Sequence, residues 1–440
     1  AEPRIDEINK TVFINFIVEP GRHVYVRRIK FHGNTKTGDY VLRNIIRQDE
    51  GGLLSLHNIK ESERHLRLLS YLKNIDIKTN PVPGTNNQVD LDVNVEEAPS
   101  AEATASIGYG TNGYQFNTAV RQFNFMGTGR SVGASFNATQ WSQDYTLNYY
   151  NPFYTRTGVG RGINLNYSKI DPQHLNVSTY SANRFGGDVN YNFPLGEATA
   201  LQLGYGYQDI DIKSLGAVIP IQNFVDIYGR HFQEIRLTGG WNRNTYDQLP
   251  FPTRGFNQQL VAFAALPASS QSLSYYKSSY QAHMYHPIAR GWIFSLLGNL
   301  GYGNMFNGTG LPFFENFYAG GTAPGQVRGY ESYALGPLDN MGNAMGANFL
   351  VNASAGLILP YPLSRDTVRT TIFTDMGNVF PSGTPPALTG NFTGPLRYSA
   401  GVSLEWRSPF GPLAFSLAKA LNPQPTDQTQ YFQFALSSGF

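Results

Sequence analysis

Residues 201–208 read LQLGYGYQ. On an extended chain, Leu201, Leu203, Tyr205 and Tyr207 fall on one face, and Gln202, Gly204, Gly206 and Gln208 fall on the other. The pattern recurs. Ile163, Leu165 and Tyr167 oppose Gly162, Asn164, Asn166 and Ser168, and Val189, Tyr191 and Phe193 oppose Asp188, Asn190 and Asn192. Ala400, Val402, Leu404 and Trp406 oppose Gly401, Ser403, Glu405 and Arg407. From residue 101 onward no helical period survives in this reading. Strands with one apolar, aromatic face and one polar face suit a sheet that meets lipid outside and water inside, which is a transmembrane β-barrel.

The composition agrees. The 440 residues carry 33 Lys+Arg against 31 Asp+Glu, only 15% charged residues and almost as many aromatics, 14%. No run of 18 apolar residues occurs, which excludes a helical membrane protein. The lack of Cys excludes a disulfide scaffold, a thiol enzyme and a zinc–cysteine site. The near-neutral balance gives no support to a nucleic-acid partner. Charges and aromatics are unevenly placed. Residues 1–99 hold 28 charges and 6 aromatics, and the other 341 hold 36 and 54. A boundary is therefore expected near Ala98-Pro99-Ser100, with a water-soluble module before it and a lipid-facing barrel, 100–440, after it.

The module, 21–99, reads as β-α-α-β-β. Val24 to Phe31 is a strand, Asp39 a helix N-cap, and Tyr40, Val41, Leu42, Ile45 and Ile46 follow at helical spacing. A second helix runs from about Asn58 to Leu72, and strands Ile75 to Thr79 and Val89 to Val95 close the unit. Thr11 to Val18 is a further strand without an evident partner, so residues 1–20 are expected to be the tail of a preceding, truncated module.

In the barrel, Pro beside an aromatic or apolar residue closes every second strand, as in Asn151-Pro152-Phe153 and His286-Pro287-Ile288, and marks the short turns of one rim. The count is sixteen strands, the first near 102–109 and the last near 428–440. Long connectors fall on the other rim, near 213–231, 305–346 and 379–395. The second of these, Met305 to Gly346, has nine Gly, four charges and the aromatics Phe313, Phe314, Phe317 and Tyr318. A loop this long without secondary structure is functional or disordered, and its composition favours folding into the lumen.

Within that loop stands Val327-Arg328-Gly329-Tyr330, which resembles the sixth-loop motif of the BamA-type outer-membrane assembly factors. Residues 372–380 (IFTDMGNVF) look like the family's second barrel motif with its buried acid, Asp375. Residues 397–412 (RYSAGVSLEWRSPFGP) and the end from Phe432 resemble its closing strands. The N-terminal module, with Ile29-Lys30-Phe31-His32-Gly33-Asn34, resembles a POTRA domain. The combination covers nearly the whole chain.

The resemblance implies a fold, a place and a function. The fold is a 16-stranded antiparallel transmembrane β-barrel behind a small α+β POTRA domain, in the bacterial outer membrane with the POTRA domain in the periplasm. The function is folding and insertion of other β-barrel proteins. The partners are unfolded outer-membrane β-barrel proteins, periplasmic accessory lipoproteins and outer-membrane lipids. No cofactor, metal or enzymatic activity is implied. Arg328 is expected to reach into the lumen and pair with Asp375, which shares an inward face with Arg369, Thr371 and Phe373. The stretch Asn352 to Leu357 lacks the second acid of some relatives, so the pairing rests on one carboxylate. The first and last strands are expected to meet at a weak lateral seam formed by Ala105, Ile107, Tyr109, Phe432, Phe434, Leu436, Gly439 and Phe440. Ser437, Ser438 and Gly439 weaken the final pairing.

Other motifs read blandly. Gly108-Tyr109-Gly110-Thr111-Asn112-Gly113 has dinucleotide-fingerprint spacing, but an alternating stretch rather than a helix follows, so it is a hairpin turn. His283 and His286 fall on opposite strand faces, a spacing that disfavours a shared metal. Asp209 and Asp211 share a face at a strand end, as a solvated rim does. A two-partner secretion transporter or an autotransporter-assembly relative shares barrel, tetrad and POTRA modules. A passive porin needs neither module nor motif.

Overall fold

The computed structural model describes the chain except residues 1, 7–10, 16–21, 156, 172–176, 178–179, 217, 270–271, 309, 361–366, 383–393, 409–410 and 437–440. Two units result, Ala1–Ser100 with Phe123–Gly129, and Ala101–Gln122 with Arg130–Phe440.

The first unit opens with β1 (Glu2–Asp6) and β2 (Thr11–Asn15), which pair antiparallel from Glu2↔Asn15 to Asp6↔Thr11. The strand that lacked an evident partner in the sequence therefore has one. β1 was missed because EPRID carries too little apolar alternation to signal a strand. Then come β3 (Tyr25–His32), α1 (Asp39–Arg43), α2 (Leu56–Arg67), β4 (Leu72–Pro81) and β5 (Gln88–Glu97), with sheet order β3-β5-β4. Gly38, not Asp39, caps α1, and Asp39 takes the first turn, where its charge suits the helix dipole. Ser55 caps α2 by accepting from the Asn58 N–H at 3.2 Å. Val26, Val41, Leu42, Leu66, Leu91 and Val93 form the core. The boundary expected at 99/100 omits Phe123–Gly129, which belong to this unit. There Asn124 is buried, accepting from Gly129 N at 2.7 Å and donating to Thr37 Oγ1 at 2.8 Å.

The second unit is one closed antiparallel barrel of sixteen strands. In chain order they are β6 (Ala101–Gly110), β7 (Gly113–Gln122), β8 (Ser131–Thr139), β9 (Ser142–Asn151), β10 (Gly160–Ile170), β11 (Tyr180–Pro194), β12 (Thr199–Leu215) and β13 (His231–Asn244). β14 (Gly255–Pro267), β15 (Tyr275–Ala289), β16 (Trp292–Met305), β17 (Phe349–Ile358), β18 (Val368–Phe380), β19 (Arg397–Ser408), β20 (Gly411–Ala420) and β21 (Phe432–Leu436) complete it. Each strand pairs with its sequence neighbour, and β21 returns to β6. The outward faces carry exposed apolar side chains, such as Leu203, Tyr205 and Tyr207 on β12 beside Ile235 and Leu237 on β13. Such a continuous apolar surface belongs in lipid. No helix among the described residues is long and apolar enough to cross a membrane.

One expectation is corrected. A helix, α3 (Ile219–Tyr228), interrupts the connector between β12 and β13. Its signal was present in Ile221, Phe224, Val225 and Tyr228 at i, i+3, i+4 and i+7, with Pro220 in the first turn and Gly229 after the end. The period-2 alternation of the strands on either side masks it. Ile221 and Val225 are buried against Ile210, Phe232, Phe313 and Phe314, and the Phe224 ring meets Phe313 edge-on at 5.3 Å. Most of the 379–395 connector lies outside the described residues.

Candidate functional site

The connector between β16 and β17, residues 306–348, is the sixth of the long-rim loops. It is tied to itself by a short ladder. Phe317 and Ala347 exchange backbone bonds at 2.8 and 2.9 Å, and Leu335 N donates to Ala319 O at 3.1 Å. Ala319, Val327, Tyr330, Leu335 and Ala347 pack with Val379 of β18. That cluster brings a hydrophilic motif into the barrel wall, because alternation along β17, β18 and β19 turns every second side chain inward.

Arg328 and Asp375 meet there, 3% and 1% exposed. Arg328 Nε donates to Asp375 Oδ2 at 2.7 Å and Nη2 to Oδ1 at 2.8 Å, a two-on-two pairing. The backbone N–H of Arg328 adds a bond to Oδ2 at 3.1 Å. Ser354 of β17 lies in the stretch Asn352 to Leu357 that lacks a second acid. It donates to Asp375 Oδ1 at 2.6 Å and accepts from Arg328 Nη2 at 3.1 Å. Ser403 of β19 accepts from Nη1 at 3.4 Å. The guanidinium carbon lies 3.3 Å from the Phe373 ring centroid, a cation–π contact. Removing one partner of such a buried, fully bonded pair costs about 3–5 kcal/mol. Val327 and Tyr330 are fully buried, with Tyr330 OH donating to Tyr398 O at 3.4 Å. Gly329 has φ +89°, and a Cβ there would lie 3.2 Å from Ala418 of β20, so the motif needs glycine for both conformation and approach.

The loop has a second anchor that sequence reasoning missed. Glu315, buried beside Phe313 and Phe314, accepts from Arg236 Nη2 of β13 at 2.8 Å. Its backbone carbonyl accepts from Lys277 Nζ of β15 at 2.6 Å, and Arg184 Nη2 of β11 donates to Phe314 O at 2.7 Å. Arg236 also pairs with Glu234 at 3.1 Å, and Tyr275 OH donates to that glutamate at 3.0 Å. Nothing local marks these cations, since strand order and register bring three separate strands to one carboxylate.

The seam residues are distributed unevenly. β21 pairs with β20 at five positions, Leu413↔Leu436 to Leu417↔Phe432. With β6 it pairs, among the described residues, only at Ala435↔Gly110 and Leu436↔Tyr109, whereas β6 and β7 share ten positions. Phe434 reinforces this end. Its N–H donates to Thr111 Oγ1 and its carbonyl accepts from Thr111 N, both at 2.9 Å, and its ring lies 6.0 Å from that of Tyr109. Ala105 and Ile107 pair with Thr118 and Phe116 of β7 and, among the described residues, with nothing on β21. Gly439 and Phe440 lie outside the described residues. No group of three or more metal-ligating side chains occurs among the described residues.

Comparison with known proteins fits this geometry. Residues 124–440 match the Omp85 superfamily domain, and residues 24–98 match a POTRA family described as a surface antigen variable number repeat. The outer membrane protein assembly factor BamA of Neisseria meningitidis serogroup B is 31% identical over 100% of this chain and 60% of its own length. Its counterpart in Neorickettsia risticii is 22% identical over 99% of this chain and 58% of its own length. The chain thus spans about three fifths of these relatives. Among solved structures, BamA from Haemophilus ducreyi lacking POTRA domains 1-3 superposes with TM-score 0.83 at 29% identity, over 99% of this chain and 88% of that one. CdiB from Acinetobacter baumannii shares the fold, with TM-score 0.60 at 12% identity over 94% and 74%.

Proposed function

The chain belongs to the Omp85 superfamily, and from that premise we propose that it is the barrel-bearing part of an assembly factor that folds and inserts β-barrel proteins into the outer membrane. The barrel lies in the outer membrane and the POTRA domain in the periplasm. The observation that carries the reading is the closing contact of the barrel, where the first strand, β6, meets the last, β21, at Tyr109 and Gly110 without a turn joining them. A strand edge that comes free when such a join parts is a template for another strand. In lipid every bare backbone group costs several kcal/mol, so a client strand that pairs with β6 gains the hydrogen bonds it otherwise lacks.

On this reading Ala105, Ile107 and Tyr109 offer the template edge, while Phe432, Phe434 and Leu436 belong to the closing strand. The Arg328–Asp375 pair keeps the loop docked in the lumen while the seam works. Accessory lipoproteins and client chains are recognised through the POTRA domain by strand addition to the exposed edges of β3 and β4. The chemistry is non-covalent throughout and draws on no nucleotide.

Reconstitution of the chain in liposomes tests this. An added, urea-unfolded barrel protein is expected to reach its heat-modifiable folded form faster than in empty liposomes. Equal rates in both overturn the proposal.

A further inference from the structure

The sixth-loop motif grips more than its carboxylate. Gln433, on β21, is fully buried. Its Nε2 donates to Tyr330 O at 2.8 Å, and its Oε1 accepts from Gly329 N at 3.2 Å. Beside it, Gln430 N donates to Gly329 O and Glu331 N donates to Gln428 O, both at 2.9 Å, around an antiparallel bridge between Tyr330 and Thr429. The loop therefore adds a short ladder to the chain leading into the last strand, from inside the lumen. One residue earlier, Arg328 is bonded to side chains of β17, β18 and β19. A single peptide step separates the luminal ion pair from the hold on β21.

We infer that Gln433 is a positioning residue that couples the docked sixth loop to the last strand, so that the ion pair in the lumen sets the position of β21 at the seam. A side-chain amide suits this role because it offers one donor and one acceptor, matched here to the carbonyl of Tyr330 and the N–H of Gly329. An apolar side chain of equal length leaves both backbone groups buried without partners. The described part of the last strand is held by five registered pairs to β20 and, from inside, by the loop. The loop is thus a second hold on β21 besides β20, and undocking it loosens β21. The consequence for client insertion rests on the assembly role proposed above, whereas the coupling itself stands on geometry alone.

The chain has no Cys, so paired cysteines report strand proximity without background. Y109C/L436C spans the seam, and L413C/L436C spans β20 and β21, at registered positions in each case. In the full chain in liposomes, Gln433→Met is expected to slow disulfide formation across the seam at least fivefold and to leave the β20–β21 disulfide unchanged. An unchanged seam rate overturns the coupling. So does equal slowing of both disulfides, which is what a merely structural role predicts. Should Gln433→Met fail to give a heat-modifiable barrel, Asp375→Asn approaches the same linkage from its other end. It is expected to slow the seam disulfide alone, and an unchanged seam rate there overturns the coupling. Client folding measured alongside separates the two ideas. Normal folding with seam rates insensitive to Gln433 removes the coupling and leaves the assembly role. Absent folding with a sensitive seam removes the assembly role and leaves the coupling.

Discussion

Ser354 and Asp375 face each other directly across β17 and β18, and the serine hydroxyl donates to the carboxylate at 2.6 Å. The register of two neighbouring strands thereby orients the acid that receives Arg328. Asp375→Ala leaves a buried guanidinium without its counter-ion, at a cost of about 3–5 kcal/mol. The expected outcome is a folded barrel whose sixth loop becomes sensitive to added protease. Ser354→Ala removes one hydrogen bond from each partner and is expected to cost less, about 1–3 kcal/mol. Equal protease resistance of Asp375→Ala and the parent would show that the pair does not hold the loop.

Gly329 and Gly342 separate conformation from approach. Both have positive φ, +89° and +86°, but a Cβ at Gly329 meets Ala418 at 3.2 Å whereas one at Gly342 meets nothing within 4 Å. Gly342→Ala is expected to cost about 1 kcal/mol from backbone strain. Gly329→Ala adds steric displacement of the motif from β20 and should lower the thermal midpoint further. Identical midpoints for the two variants would contradict this.

Glu315 holds the loop's other arm. Glu315→Gln leaves Arg184, Arg236 and Lys277 near a neutral side chain, with Glu234 as the remaining carboxylate of the cluster. Like charges then repel in a buried site. The arm that carries Phe313 and Phe314 is expected to lift from α3, and single-channel conductance in planar bilayers to rise above that of the parent. Unaltered conductance would mean that the hydrophobic cluster suffices.

A disulfide between cysteines placed at Tyr109 and Leu436 ties the two strands at a registered position. Client folding should stop under oxidising conditions and return on reduction. Full activity of the oxidised form would exclude lateral opening.

In the POTRA domain, Arg27 and then Lys30 donate to Asp90, at 2.7–2.8 Å and 2.9 Å, and hold its carboxyl well below the usual carboxylate range. A depressed folded-state pKa contributes stability that is fully present above the unfolded value, about pH 4, and is lost as pH falls through the folded value. Hydrogen exchange of β3 and β5, corrected for the intrinsic rate, should therefore rise on acidification in the parent and respond less in Asp90→Asn.

Much of this was legible in the chain. Strict alternation in stretches such as 201–208 gave strands, sixteen of them, and the tetrad with residues 372–380 pointed to Arg328 and Asp375. What escaped did so for physical reasons. Ser354, Ser403 and Gln433 are ordinary polar residues on inward faces, and their partners are fixed by strand register, which sequence spacing leaves open. The cations around Glu315 sit on three strands, β11, β13 and β15, that strand pairing brings side by side. α3 is hidden because its period-3.6 stretch lies between strands of period 2, and the β1–β2 pair because EPRID carries too little apolar alternation.

The sixth loop touches β11, β13 and β15 at one end, β17 to β19 in the middle, and β20 and β21 beyond. The bonds that hold the loop join groups 26 to 130 residues apart in the chain. Each carries a loop-closure cost that a hairpin between neighbouring strands does not. In the barrel's own biogenesis, docking of this loop is thus expected to follow local strand pairing, and the luminal salt bridge to form on strands already in register.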